Sequence, residues 1–158
     1  MGVFICAFTS SGKSTIASKY KNVIDMESTK YKYLNYNESE RSKGTTRIKN
    51  PDYPQNYFDE LERIKDLYDY ILLADGVVYE WLIQNKYEYW QVFPNVDLKK
   101  EYYGRCLTRG NSREFAGWLM NNWDEWVDGA KNDRFAKKHI ELKAGEFLES
   151  VLPNLIKK

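Results

Sequence analysis

The stretch "AFTSSGKSTIASKY", Ala7 to Tyr20, lies almost at the head of the chain, and its reading decides the fold. Val3 to Phe8 is apolar and suited to a strand, Thr9-Ser10-Ser11-Gly12 gathers turn-forming residues, and Lys13 to Tyr20 reads as a short helix. A strand that runs through a glycine-bearing loop into a helix is the opening unit of an α/β fold.

The rest of the chain repeats that alternation. Val23-Ile24-Asp25 is a second, brief apolar run that ends in an acid, and Ser28 to Gln55 is polar and tyrosine-rich without periodicity. Next, "NPDYPQNYFDELERIKDLYD" predicts a helix with Asn56 as its N-cap and Phe58, Leu61, Ile64 and Leu67 on one face. Tyr70 to Ala74 is a buried-type strand ending at Asp75-Gly76, and Val77, Val78, Trp81 and Leu82 mark the helix after it. Tyr89 to Phe93 is another strand, closed by Pro94. Asp97 to Thr108 is a charged helix broken at Gly110-Asn111, and Phe115, Trp118, Leu119, Trp123 and Trp126 give the apolar face of a second long helix. The tryptophans at helical spacing read as core rather than as a platform for a base. Lys138 to Lys143 is the last strand, and Gly145 to Leu155 a terminal helix ended near Pro153. These elements predict one α/β domain over residues 1–158, with a mostly parallel sheet covered by helices on both faces and ligands at the carboxyl ends of the strands. Residues 28–55 form an insertion in it and residues 95–130 a helical region.

Composition narrows the chemistry. Twenty-four Lys and Arg against twenty-three Asp and Glu leave a net charge of +1, so any basic site is local. Cys6 lies in an apolar run and Cys106 in a charged helical stretch, a spacing that suits neither a disulfide nor a metal and fits a reducing cytoplasm. The single histidine, His139, argues against Ser/His, Cys/His and multi-histidine metal centres. "MGVFICAF" lacks a basic flank and a small-residue cleavage site, and no run of eighteen apolar residues occurs, so the expectation is a first strand and no membrane.

Ala7 to Ser14 fits the pattern G/A-x-x-x-x-G-K-S/T, placed between strand and helix as a phosphate-cradling loop requires. In such a loop the backbone amides around Ser10, Ser11 and Gly12 converge on phosphate oxygens at the start of a helix. Lys13 would neutralise the terminal phosphates of ATP, Ser14 would complete a Mg²⁺ shell, and Thr15 would touch the α-phosphate. The pattern names a nucleotide without naming a reaction.

Other residues bear on the reaction. Asp25, at the end of the second strand, would orient an acceptor, take its proton, or hold magnesium through water, or else serve as a turn aspartate. Asp75 ends its strand where an acid would hold magnesium, or else caps the next helix. Ser28 to Gln55 carries six cations against three acids, with Arg41 and Arg47 as the best phosphate clamps. "EYYGRCLTRGNSREF" spaces Arg105, Arg109 and Arg113 by four, so they share one side if the helix runs on across Gly110-Asn111. Arginines closing over a phosphoryl group stabilise its charge and exclude water.

With "IDMESTKYKY", "KNPDYPQNY", "YWQVFPNVDLKKEYYGRCLTRGN", "NNWDEW" and "IELKAGEFL" added to the glycine loop, the chain resembles the small P-loop kinases of the nucleoside monophosphate kinase group. More narrowly, it resembles the short adenylate-kinase-like proteins of bacteriophage genomes and prophages. The resemblance implies a P-loop NTPase fold with a five-stranded parallel sheet, ATP with magnesium on Gly12, Lys13 and Ser14, and a helical lid bearing Arg105 and Arg109. It also implies that Lys143-Ala144-Gly145 passes near the adenine. The expected activity is transfer of the γ-phosphoryl of ATP to a nucleoside or deoxynucleoside monophosphate. A hydroxyl acceptor stays open, on a nucleoside, a small metabolite or a polynucleotide 5′ end, as does an ATP-binding interaction module without turnover. Nucleic acid enters these expectations only as a 5′-end substrate, and monomer and dimer are both open.

Overall fold

The computed structural model of the chain describes residues 1–35 and 47–158. Five strands, β1 (Val3–Ala7), β2 (Val23–Asp25), β3 (Tyr70–Leu73), β4 (Tyr89–Pro94) and β5 (Lys138–Leu142), form one sheet in the order β2-β3-β1-β4-β5. Every pairing is parallel, with Val3 opposite Tyr70, Phe4 opposite Tyr89, Val23 opposite Tyr70 and Trp90 opposite Lys138. Eight α-helices occur among the described residues: α1 (Lys13–Lys19), α2 (Thr29–Lys32), α3 (Gln55–Ile64), α4 (Val78–Gln84), α5 (Lys99–Thr108), α6 (Arg113–Asn121), α7 (Trp123–Lys131) and α8 (Leu148–Val151). The α/β class and the parallel sheet are those expected from the alternating pattern.

β1 is central, so both of its faces must be apolar, and side chains alternate between them. Ile5 and Ala7 pack with Ile16 of α1 and with Leu148 and Leu152 at the end of the chain. Phe4 and Cys6 pack on the other face with Tyr57, Leu61 and Ile64 of α3 and with Val78 and Leu82 of α4. Full burial of one such aliphatic or aromatic side chain contributes about 1.5–3 kcal/mol. Burial also pushes the Cys6 thiol upward, so this cysteine is inert packing. Beyond β4, Phe93 meets Tyr102, Trp123 and Val127 of the helical region. The chain leaves β1 toward β2 on one side and leaves β4 toward β5 on the other, so their carboxyl ends part to form a crevice.

Several boundaries differ from the sequence reading. Helix α3 begins at Gln55 with Pro54 at its cap, so Asn56 lies inside the helix, where its side-chain amide donates to the Tyr31 carbonyl at 3.0 Å. Its buried residues are Tyr57, Leu61 and Ile64, while Leu67 lies beyond the helix and is exposed. Asn122 divides the predicted long helix into α6 and α7. Trp123 is fully buried and donates from Nε1 to the Val96 carbonyl at 2.8 Å, but Trp118 is 54% exposed and is not the core residue expected. Helix α6 turns Ala116 and Leu119 inward, and Trp118 falls to the side of that face. The terminal helix shrinks to four residues, with Gly145 at φ +73° before it and Pro153 after it.

The described residues of segment 28–55 are less irregular than the sequence reads. Helix α2 occupies its start, and residues 32–35 and 47–50 lie side by side, joined by Leu34 N–H to Ile48 O at 2.9 Å and Asn50 N–H to Lys32 O at 2.7 Å. Arg41 lies outside the described residues.

Candidate functional site

The loop after β1 begins with a bond from the Phe8 amide to Val92 O at 3.1 Å, which ties it to β4 at the edge of the crevice. It then turns sharply. Ser10 has φ +65° and Gly12 has φ +92°. At Gly12 the left-handed backbone favours glycine, and a Cβ there would also stand 3.1 Å from the Phe147 ring. At Ser10 the same conformation is strained for a side-chain-bearing residue and persists only where neighbours hold it.

Helix α5 does that holding. Arg105 donates from Nη1 to Ser10 O at 3.1 Å, and Arg109 donates from Nη1 to Ser10 Oγ at 3.0 Å. Cys106 Sγ lies 3.3 Å from the same hydroxyl. Positions 105, 106 and 109 share one helical face, so the four-residue arginine spacing converges on a single residue of the loop. Arg113 does not join them. Helix α5 stops at Thr108, a new helix begins at Arg113, and the arginine there is exposed. The condition that would have aligned the three arginines, a continuous helix, is not met.

Two features of the loop face ligand chemistry. Ser11 is fully buried, and its hydroxyl has no hydrogen-bond partner among the described residues, a situation that costs about 1–3 kcal/mol and calls for an explanation. The amides of Ser10 and Gly12 likewise meet no acceptor among the described residues. Lys13 and Ser14 then open α1, with Ser14 and Thr15 exposed.

Ser14 and Asp25, eleven residues apart, line one open groove of about 580 Å³, together with Glu27 and Lys30. Asp25 is the last residue of β2, so strand geometry carries it to the carboxyl edge of the sheet, level with α1. Ser14 Oγ and the two carboxylates are hard oxygen donors of the kind magnesium takes. That ion is bound through one or two protein oxygens with phosphate and water supplying the rest, so a larger protein cluster is not required. No group of three or more His, Cys, Asp or Glu side chains placed to hold a metal ion occurs among the described residues.

Asp75 is engaged otherwise. Its Oδ2 accepts from Lys32 Nζ at 2.6 Å, from the Tyr53 hydroxyl at 2.7 Å and from Ser28 Oγ at 3.2 Å, and its Oδ1 accepts from the Val77 amide at 3.1 Å. Burial by itself would raise the carboxyl's pKa, but the bonds from Lys32, Tyr53 and Val77 outweigh it and hold it below the ordinary range. The acid thus fastens α2 and Tyr53 to the end of β3. A group whose pKa is depressed by folding stabilises fully above its unfolded value, about 3.9, and loses that contribution as pH falls through the lower folded value. Asp75→Asn is therefore expected to lower Tm at pH 7, and the gap from the wild type should close as pH falls below about 4. Thermal melts from pH 7 downward check this, and a gap independent of pH would remove the ionic role.

Arg47 lies over the Tyr33 ring at 5.1 Å, in the paired stem of the insertion. His139 is exposed, and its Nε2 lies 2.7 Å from Asp133 O. Sequence reasoning missed Glu101, Phe147 and Cys106 as neighbours of the loop. The four-residue step between Glu101 and Arg105 was the available signal for the first. Contacts from Phe147 and from Cys106 arise only on folding.

No protein-family model matches the chain, and no curated protein is similar to it in sequence. No helix among the described residues is long and apolar enough to cross a membrane.

Proposed function

We propose that the protein is a P-loop phosphotransferase that moves the γ-phosphoryl of Mg·ATP to a nucleoside or deoxynucleoside monophosphate. The observation that carries this reading is the loop itself. It follows the central strand of a parallel sheet, opens a helix with Lys13-Ser14, turns through two left-handed residues, and holds a buried Ser11 hydroxyl without a partner among the described residues. A polyphosphate would accept from that hydroxyl and from the loop amides.

In this reading each residue has a role set by its position. Lys13 balances phosphate charge beside the helix start. Ser14, with Asp25 or Glu27 across the groove, would hold magnesium, which supplies charge neutralisation on the transferring group. Asp25 orients the acceptor within the groove, and Lys30, on the same wall, offers its phosphate a cation. Arg109, exposed at the end of α5 and donating to Ser10 Oγ through Nη1, can turn its remaining donors toward the transferred group. Arg105 is already committed to protein acceptors and braces the loop.

A coupled assay of ADP release from Mg·ATP tests the proposal against ribo- and deoxynucleoside monophosphates, nucleosides and 5′-hydroxyl oligonucleotides. Stimulation by monophosphates at least tenfold over the acceptor-free rate is the expected outcome. Stimulation only by nucleosides or oligonucleotides would replace the acceptor class with a hydroxyl, and silence across the panel with ATP still bound would leave a nucleotide-binding module.

A further inference from the structure

Segment Lys143 to Leu148 leaves β5 and runs beside the glycine loop, and the bonds that hold it there converge on one acid. Glu101 Oε1 accepts from the Gly145 amide at 3.1 Å, and Glu101 Oε2 accepts from Arg105 Nη2 at 2.8 Å. The same Nη2 donates to Glu146 O at 2.9 Å, while Nη1 reaches Ser10 O. The guanidinium lies over two rings, 4.3 Å from the centre of Tyr102 and 3.9 Å from that of Phe147. Phe147 in turn lies against Gly12, and the Leu148 amide donates to Ser11 O at 3.0 Å. A single carboxylate therefore links three parts of the chain: helix α5, the glycine loop through Arg105, and the segment after β5.

We infer that Glu101 is a positioning residue that sets the segment 143–147 as a side wall of the nucleotide site. The inference rests on the phosphate-loop reading. The groove with Asp25 flanks the loop on the β2 side, and segment 143–147 flanks it on the β5 side. With the acceptor on the first side, the part of the donor beyond its phosphates meets the second. Glu101 touches no substrate in this arrangement. It acts by fixing the Gly145 amide, whose φ of +73° keeps the segment in its turn, and by fixing the plane of Arg105. Ionic bonds to a carboxylate are about twice as strong as neutral ones, so the amide in Glu101→Gln would hold the wall weakly even though its shape is unchanged.

The distinguishing test compares two ligands, Mg·ATP and inorganic tripolyphosphate with magnesium, by calorimetry on the wild type, Glu101→Gln, Glu101→Asp and the control Glu114→Gln. Glu114 lies in the exposed first turn of α6, away from these contacts. Loss of one charge-assisted bond predicts about a tenfold weaker Kd for Mg·ATP in Glu101→Gln. Tripolyphosphate should change by less than twofold, because Arg105 still holds Ser10 O. Glu101→Asp, which keeps the charge, should recover part of the ATP affinity, and Glu114→Gln should match the wild type. Unchanged ATP affinity in Glu101→Gln, or equal weakening of both ligands, would overturn the positioning role. A wild type that binds neither ligand would instead remove the phosphate-loop reading, and this inference with it.

Discussion

Lys13→Ala is expected to weaken Mg·ATP binding by a hundredfold or more while leaving the far-ultraviolet circular dichroism of the protein within error. The magnitude follows from charge. A lysine about 4 Å from a phosphate oxygen at an effective dielectric of 20 contributes about 4 kcal/mol, and each 1.4 kcal/mol is tenfold in affinity. The second half of the expectation follows from place. Lys13 is the first residue of α1, is not part of the buried core, and gives way to the best helix former. The core contact of that helix is made by Ile16, which the substitution leaves untouched. Titration of the variant and the wild type with Mg·ATP, followed by calorimetry, checks both halves. Retained affinity would mean that the loop is a turn and not a phosphate cradle, and every role assigned to its neighbours would have to be rebuilt.

The loop was legible because its signal is local: the strand, the turn formers, the glycine and the Lys-Ser pair are contiguous, and backbone preference alone sets their order. The sheet was legible for a similar reason. Each buried parallel strand is a short apolar run, and "VFICA", "YILL" and "YWQVFP" need no knowledge of their partners. What escaped depended on one element's relation to another. Trp118 reads as core from an apolar face drawn through one long helix, but α6 ends at Asn121 and buries Ala116 and Leu119 instead. Arg113 joins Arg105 and Arg109 only if α5 continues, and the turn at Gly110, with φ +89°, separates it. Asp75 reads as a magnesium-holding acid or a helix cap until α2 and Tyr53 fold onto it, and the residues that do so lie 22 to 47 positions away. Glu101 drew no notice in the sequence, because its bond to Gly145 spans 44 residues and has no trace in spacing.

Arg109→Ala is expected to lower kcat by about a hundredfold while changing the Kd for Mg·ATP less than threefold, whereas Arg105→Ala should lower affinity, turnover and stability together. The two arginines differ by four positions and by their surroundings. Arg105 is 10% exposed in its side chain, donates to Ser10 O, Glu101 and Glu146 O, and lies over the rings of Tyr102 and Phe147. Nothing in that arrangement is released without opening the loop, so its removal costs about 2 kcal/mol and, for a chain of this size, roughly 4–8 °C in Tm. Arg109 lies on the surface, and its bond to the Ser10 hydroxyl is one donor of five. A guanidinium held by a single neutral bond among the described residues can exchange it for phosphoryl oxygens, whose charge grows in the transition state, and loss of one such donor costs about 10² to 10³ in kcat. The contrast is measured by determining kcat, Kd and Tm for both variants and for Arg109→Lys, which keeps the charge and should recover part of kcat. Equal loss of kcat and affinity in Arg109→Ala would assign it to ground-state binding, and a fall in Tm matching that of Arg105→Ala would make both residues braces of Ser10, leaving the transferred group to be stabilised from elsewhere.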